Sequence, residues 1–332
     1  MPVVMGKCGS DLILTQRVLS NVLLIGCLAI AACKGDEKPT PPAESPASEI
    51  ALAGAVVMIG AGDIAMCGTT GDEQTAAIVD SVLKADSIAN VENVVITMGD
   101  NAYPSGSVEQ FARCFGSGWG SKSTRIMKYI RPSPGNHDYN TSGAVPYFSY
   151  FGSRAGPDRK GYYSYDFGEW HVVSLNSELP PFRSRQALAR EQEAWLIKDL
   201  AANTKLCTVA YMHRPLYSSG DHGEGPSMRR LWDIMFRYRV DLLVVGHDHH
   251  YERFNPIAPS GVPDTINGIE QIIVGTGGGN LRGVSNPRAP NSAATVHGYY
   301  GVLKLSLGDG EYRRAFLDTR GRIWDEGGRK CH

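Results

Sequence analysis

His247 and His249 stand two residues apart in Gly246-His247-Asp248-His249-His250-Tyr251, directly after the apolar run 242–245. A buried strand ends there and a loop begins. Residues i and i+2 of an extended segment point to the same side, so both imidazoles can face one metal centre. Such a pair needs complementary donors, and the chain supplies them in order. Asp63 follows the apolar run 55–60, and Asp100 opens Asp100-Asn101-Ala102-Tyr103 after the run 94–98. Gly135-Asn136-His137-Asp138 comes next, and His213 closes the run 208–212. Carboxylate, amide, phenol and imidazole are all metal-ligand types. Each lies in a loop that follows apolar sequence.

The elements that must hold these side chains alternate between strand and helix. The runs 55–60 and 94–98 read as buried strands, and 73–88 reads as a helix with Ala77, Leu83 and Ile88 toward the core. Apolar strands joined by helices make β-α-β units, whose ligands collect at the carboxyl ends of the strands. Segments 161–167 and 170–175 alternate around a Gly-containing turn and read as an antiparallel pair. A helix over 186–202, a strand over 208–212 and a helix with the stripe Met228, Leu231, Trp232, Met235 and Phe236 follow, the last with Ser227 as its N-cap. Further strands read at 269–274, 299–307 and 312–317. With no internal repeat and no second linker, residues 51–332 make one two-sheet domain.

Bulk properties narrow the function. The chain has 332 residues, 42% of them hydrophobic, which suits a sizeable core. Lys+Arg 33 against Asp+Glu 34 gives no electrostatic footprint for nucleic acid, so none is expected as a partner. At the N-terminus, Lys7 and Arg17 precede an apolar stretch over 18–32, too short to span a bilayer and of the length of a signal h-region. It ends Leu28-Ala29-Ile30-Ala31-Ala32-Cys33, which resembles a bacterial lipobox. That resemblance makes residues 1–33 a lipoprotein-type signal and Cys33 the lipid-bearing mature N-terminus. Export follows, with an outer-membrane, periplasmic or cell-surface destination, because Lys34 is not the aspartate of inner-membrane retention. Segment 34–50 carries Pro39, Pro41, Pro42 and Pro46 and reads as an extended tether. In an oxidising compartment Cys67, Cys114, Cys207 and Cys331 allow three pairings. Cys67 with Cys114 is favoured if Asp63 and Asp100 meet at one site.

In their order, the blocks Gly62-Asp63, Gly99-Asp100, Gly135-Asn136-His137, the solitary His213 and Gly246-His247-Asp248-His249 resemble the calcineurin-like metallophosphoesterases. Tyr103, three residues after Asp100, and Tyr251-Glu252-Arg253 after the last block resemble the purple acid phosphatase group within that superfamily. The resemblance covers roughly residues 58–253. It implies a four-layer α/β/β/α sandwich of two mixed sheets flanked by helices, with a dinuclear metal site at the carboxyl ends of strands. By the same resemblance, Asp63, Asp100, Tyr103 and His249 hold one metal, and Asp100, Asn136, His213 and His247 hold the other. Two carboxylates, a phenolate and one imidazole suit Fe(III); the second set suits Fe(II), Zn(II) or Mn(II). Two such ions clamp a phosphoryl group and activate a water for in-line attack. His137 then stabilises the transition state and protonates the leaving alkoxide.

His222, in Ser218-Ser219-Gly220-Asp221-His222-Gly223, is a candidate contact to substrate phosphate. His250 has no assigned part, and His171 and His297 read as structural. Gly277-Gly278-Gly279 lacks the strand-to-helix setting of a nucleotide loop and reads as a packing turn near the site. The expected activity is hydrolysis of small phosphate monoesters. Alternatives are a phosphodiesterase on nucleotide or lipid-derived diesters and a catalytically inactive surface binding module.

Overall fold

The computed structural model describes Leu52 and residues 54–332. The expected signal segment, Cys33 and the Pro-rich segment lie outside the described residues. Among the described residues no helix is long and apolar enough to cross a membrane.

Two mixed sheets form the centre. The first runs in the order 323–330, 311–318, 301–307, 56–61, 93–98, 130–133, and its last three strands are mutually parallel. The second runs 292–296, 251–254, 270–274, 242–245, 207–211, 170–174, 163–167, with a parallel core of the four strands from 270–274 to 170–174. Alternation along the second sheet builds two cores at once. Val172, Val209, Val244 and Ile272 join the core shared with the first sheet, whereas Val173, Ala210, Leu243 and Ile273 pack with Leu196, Leu200, Leu231 and Trp232. Those last four come from helices Gln186–Ala202 and Arg229–Arg237. Helix Gly71–Ile88 covers the first sheet through Ala76, Val79 and Leu83. The result is a helix, sheet, sheet, helix sandwich, as the sequence resemblance implied.

Two local expectations are corrected. Ala77 and Ile88 do not face the core; Ile88 is 81% exposed. The buried stripe of that helix is Asp72, Thr75, Ala76, Val79, Leu83 and Asp86, in which polar residues take inner positions that hydropathy does not reveal. Ser227 is not an N-cap, because it lies within a 3₁₀ turn, Pro226–Met228, which feeds helix Arg229–Arg237 with no side-chain cap. The stripe itself holds, with Met228, Leu231, Trp232 and Met235 buried. Disulfides join Cys67 to Cys114 and Cys207 to Cys331. The first ties the loop after Asp63 to the segment after Asp100, as favoured from sequence.

Candidate metal centre

The carboxyl ends of the two sheets meet at glycines. Gly62 N donates to Val274 O across the sheets (2.8 Å). A Cβ on Gly62 would lie 2.7 Å from Met98 O and 3.2 Å from Gly246 Cα, and one on Gly246 would lie 2.5 Å from Asp63 Oδ2. Only residues without side chains permit that approach. The residue after each glycine is a donor, and the chain turns sharply there: Asp63, Asp100 and His247 adopt positive φ of 60°, 49° and 73°. Left-handed backbone costs a non-glycine residue about 1–2 kcal/mol, so each must be held by other contacts. Asp63 N donates to Gly99 O (3.0 Å), His247 N to Asp63 Oδ2 (2.8 Å) and His137 N to Asp100 Oδ1 (2.7 Å).

This frame brings all seven expected donors together. Tyr103 Oη lies 2.7 Å from Asp63 Oδ1, 3.1 Å from Asp100 Oδ2 and 3.1 Å from His249 Nε2. His213 Nε2 lies 3.4 Å from the same Asp100 Oδ2, 3.0 Å from Asn136 Oδ1 and 3.1 Å from His247 Nδ1. One carboxylate oxygen is thus common to two four-donor sets. Edges of this length are what donors about 2 Å from a shared ion would make. The imidazoles are also turned correctly. His213 Nδ1 is taken by Met98 O (2.8 Å) and His249 Nδ1 by Asn280 O (2.6 Å), which turns each Nε2 toward the cluster.

The donors' chemistry fits cations. Burial and then the Asp100 and Asp63 carboxylates push the Tyr103 hydroxyl well above its ordinary range. A phenolate there needs a compensating positive charge. Burial opposes a charge on His213, yet Asp100 outweighs it and raises the imidazole to about 10. Its neighbour His247 is driven down to about 2 by burial, His213 and Arg214, and so offers a neutral nitrogen. Asp100 itself is held below the usual carboxylate range; burial works the other way, but His213, His137 and His247 prevail. Asp63, Asp100 and His213 present ligand atoms within 4.8 Å of one another.

His137 stands at the rim, with Nδ1 donating to Pro104 O (2.6 Å) and Nε2 3.9 Å from Asp100 Oδ2. Its ring lies 4.5 Å from that of Tyr103. His222 stacks on His247 with centroids 4.3 Å apart, and its backbone N and Nδ1 both bind Asp248 Oδ1 at 3.0 Å. His250 is buried beside Glu252 (3.1 Å), which in turn accepts from Ser219 N and Oγ; this pair pins the loop before His222. His171 bridges Asp166 and Asp199 away from the cluster, and His297 is exposed. Gly277 N and Gly279 N donate to Gly62 O and Asp63 O, so the triple glycine packs against the site.

Four nearby residues were not singled out from sequence. Arg214 forms a two-pronged pair with buried Glu178 (2.7 and 3.0 Å) and donates Nη1 to His247 Nε2 (3.0 Å). Asp248 anchors His222, and Arg282 extends toward it. The positions of Arg214 beside His213 and Asp248 between the histidines were the available signals.

The chain belongs to the calcineurin-like phosphoesterase family, whose model matches residues 59–251. It is 28% identical to acid phosphatase type 7 of Homo sapiens over 226 residues, 58% of this chain and 48% of that protein. It is 39% identical to purple acid phosphatase 21 of Arabidopsis thaliana over 102 residues, 29% of this chain and 22% of that protein. Each match spans less than half of the relative's length. A purple acid phosphatase from seeds of yellow lupin (Lupinus luteus) shares the fold at TM-score 0.70 and 21% identity, over 83% of this chain and 54% of that one.

Proposed function

We propose that this chain is a dinuclear-metal phosphoric ester hydrolase of the acid phosphatase type, acting on small phosphate monoesters. The observation that carries this reading is the Asp100 Oδ2 atom common to both donor sets. The harder set, Asp63, Asp100, Tyr103 and His249, suits Fe(III), and the set of Asp100, Asn136, His213 and His247 suits Fe(II), Zn(II) or Mn(II). Two cations held by these residues would supply the charge that activates a water for in-line attack and offsets charge building on the phosphoryl oxygens. The protein's own part is positioning and proton transfer. Pro104 O fixes His137 through Nδ1, so Nε2 is the atom that carries a proton to the leaving oxygen. His222, anchored by Asp248, presents Nε2 to a phosphate oxygen.

The test is metal analysis with an ester panel on protein lacking residues 1–33. The reading expects two metal ions per chain and hydrolysis of aryl and alkyl monoesters, faster in mild acid. Turnover of diesters alone would replace it with the phosphodiesterase alternative. Metal binding with no turnover of either class would favour a surface binding module. The complete donor set speaks for an enzyme. Export with lipidation at Cys33 belongs to the same proposal, and Cys33→Ser should shift the protein from the membrane to the soluble fraction; persistence in the membrane would contradict it.

A further inference from the structure

Arg282 reaches the site from the loop that follows the triple glycine. Its backbone N donates to His249 O (3.0 Å), two residues beyond Asn280, whose carbonyl orients the His249 ring (2.6 Å). Its side chain turns toward His222, with Nη1 3.5 Å from Nε2. The loop therefore fixes the base of Arg282 to one of the site's own histidines.

The guanidinium is short of partners. Among the described residues no carboxylate lies within ion-pair distance of Arg282, and the long contact to His222 is its one side-chain hydrogen bond. The other arginines near the site are committed. Arg214 is neutralised by Glu178, and Arg185 lies over the Tyr139 and Phe182 rings while donating to Glu178 O. A guanidinium offers five donors in a planar fork that matches phosphate oxygens. Half-buried Arg282 thus holds an uncompensated charge with open donors beside the imidazole that faces the metal donors.

From this arrangement we infer that Arg282 selects for the charge of the substrate phosphoryl group. Together with His222 it binds a nonbridging oxygen and favours a dianionic monoester over a monoanionic diester. The inference rests on the phosphoesterase reading above and goes beyond it by naming the residue that separates the two ester classes. Its elements are the Arg282 fork, the His222 Nε2 atom, and Asp248, which fixes that ring from behind.

The experiment compares wild type, Arg282→Gln and Arg282→Lys on p-nitrophenyl phosphate and methyl p-nitrophenyl phosphate, which share a leaving group but differ by one charge. Inorganic phosphate serves as competitive inhibitor and calorimetric ligand. Arg288→Gln, an exposed change on the same loop, is the control. Arg282→Gln should lower kcat/KM for the monoester by about tenfold or more, chiefly through KM, and weaken phosphate binding in parallel. The diester should lose less than about threefold by the same reasoning. Arg282→Lys should recover part of the loss, and Arg288→Gln should lose nothing. Equal losses on both esters, or a fall in kcat with KM and phosphate affinity unchanged, would overturn the inference. If wild type hydrolyses neither ester, the phosphoesterase reading fails first. Calorimetry then decides for Arg282: unchanged phosphate affinity in Arg282→Gln removes it, and about tenfold weaker binding supports its role in holding the oxygen.

Discussion

Glu178→Gln should be among the most destabilising single changes near the site, for a reason that can be worked from its surroundings. The Glu178 side chain is 0% exposed and that of Arg214 21% exposed, with two short contacts at 2.7 and 3.0 Å. Removing one partner of a buried pair leaves the other charge in low dielectric at a cost of about 3–5 kcal/mol. Glutamine keeps one acceptor and water reaches part of the guanidinium, so about 2–4 kcal/mol is expected for Glu178→Gln. Arg214→Met strands the fully buried carboxylate and should cost about 3–5 kcal/mol. The double variant strands neither charge and should fall short of the sum by about 2 kcal/mol or more. Urea unfolding at neutral pH with disulfides intact gives the four free energies. Additive losses, or a Glu178→Gln loss below about 1 kcal/mol, would refute the reasoning that this pair is buried and coupled.

His137→Ala should depress kcat more for alkyl esters than for activated aryl esters, since only a poor leaving group needs the proton; equal losses would remove the acid role. Tyr103→Phe should abolish the visible phenolate charge-transfer band of iron-loaded protein, and a band that survives would place iron elsewhere. Burial and then Glu73 push the Asp72 carboxyl up to about 8. The folded state therefore keeps a proton that the unfolded chain releases near its ordinary value of 3.8. That group's contribution is favourable in acid and is lost as pH rises through about 8, so thermal melts should show wild type falling below Asp72→Asn between pH 5 and 8.5. Parallel curves would show that Asp72 ionises normally.

The fold and the clustering of the candidate donors were legible because their signals are local. A buried strand, a glycine where two sheets cross and a donor immediately after it form a contiguous pattern, repeated at Asp63, Asp100 and His247. Strand 130–133 was harder to read because it contains Pro132, which the sheet tolerates at its edge. Strand 323–330 contains Gly327 and Gly328 and lacks a clear apolar alternation. The inner face of helix 71–88 was misread because Asp72, Thr75 and Asp86 are buried. What lies around the donors depends on distant pairings. Glu178 and Arg214 are 36 residues apart, His222 and Asp248 are 26 apart, and Arg282 and His222 are 60 apart. No periodicity or spacing links such partners; the turns of the two sheets bring them together.

The most direct measurement is anomalous diffraction from crystals of metal-loaded protein. The account predicts two metal peaks per chain, about 3.5–4 Å apart, with Asp100 Oδ2 between them and Tyr103 on one peak only. A single peak, or two peaks not bridged by Asp100, would contradict it.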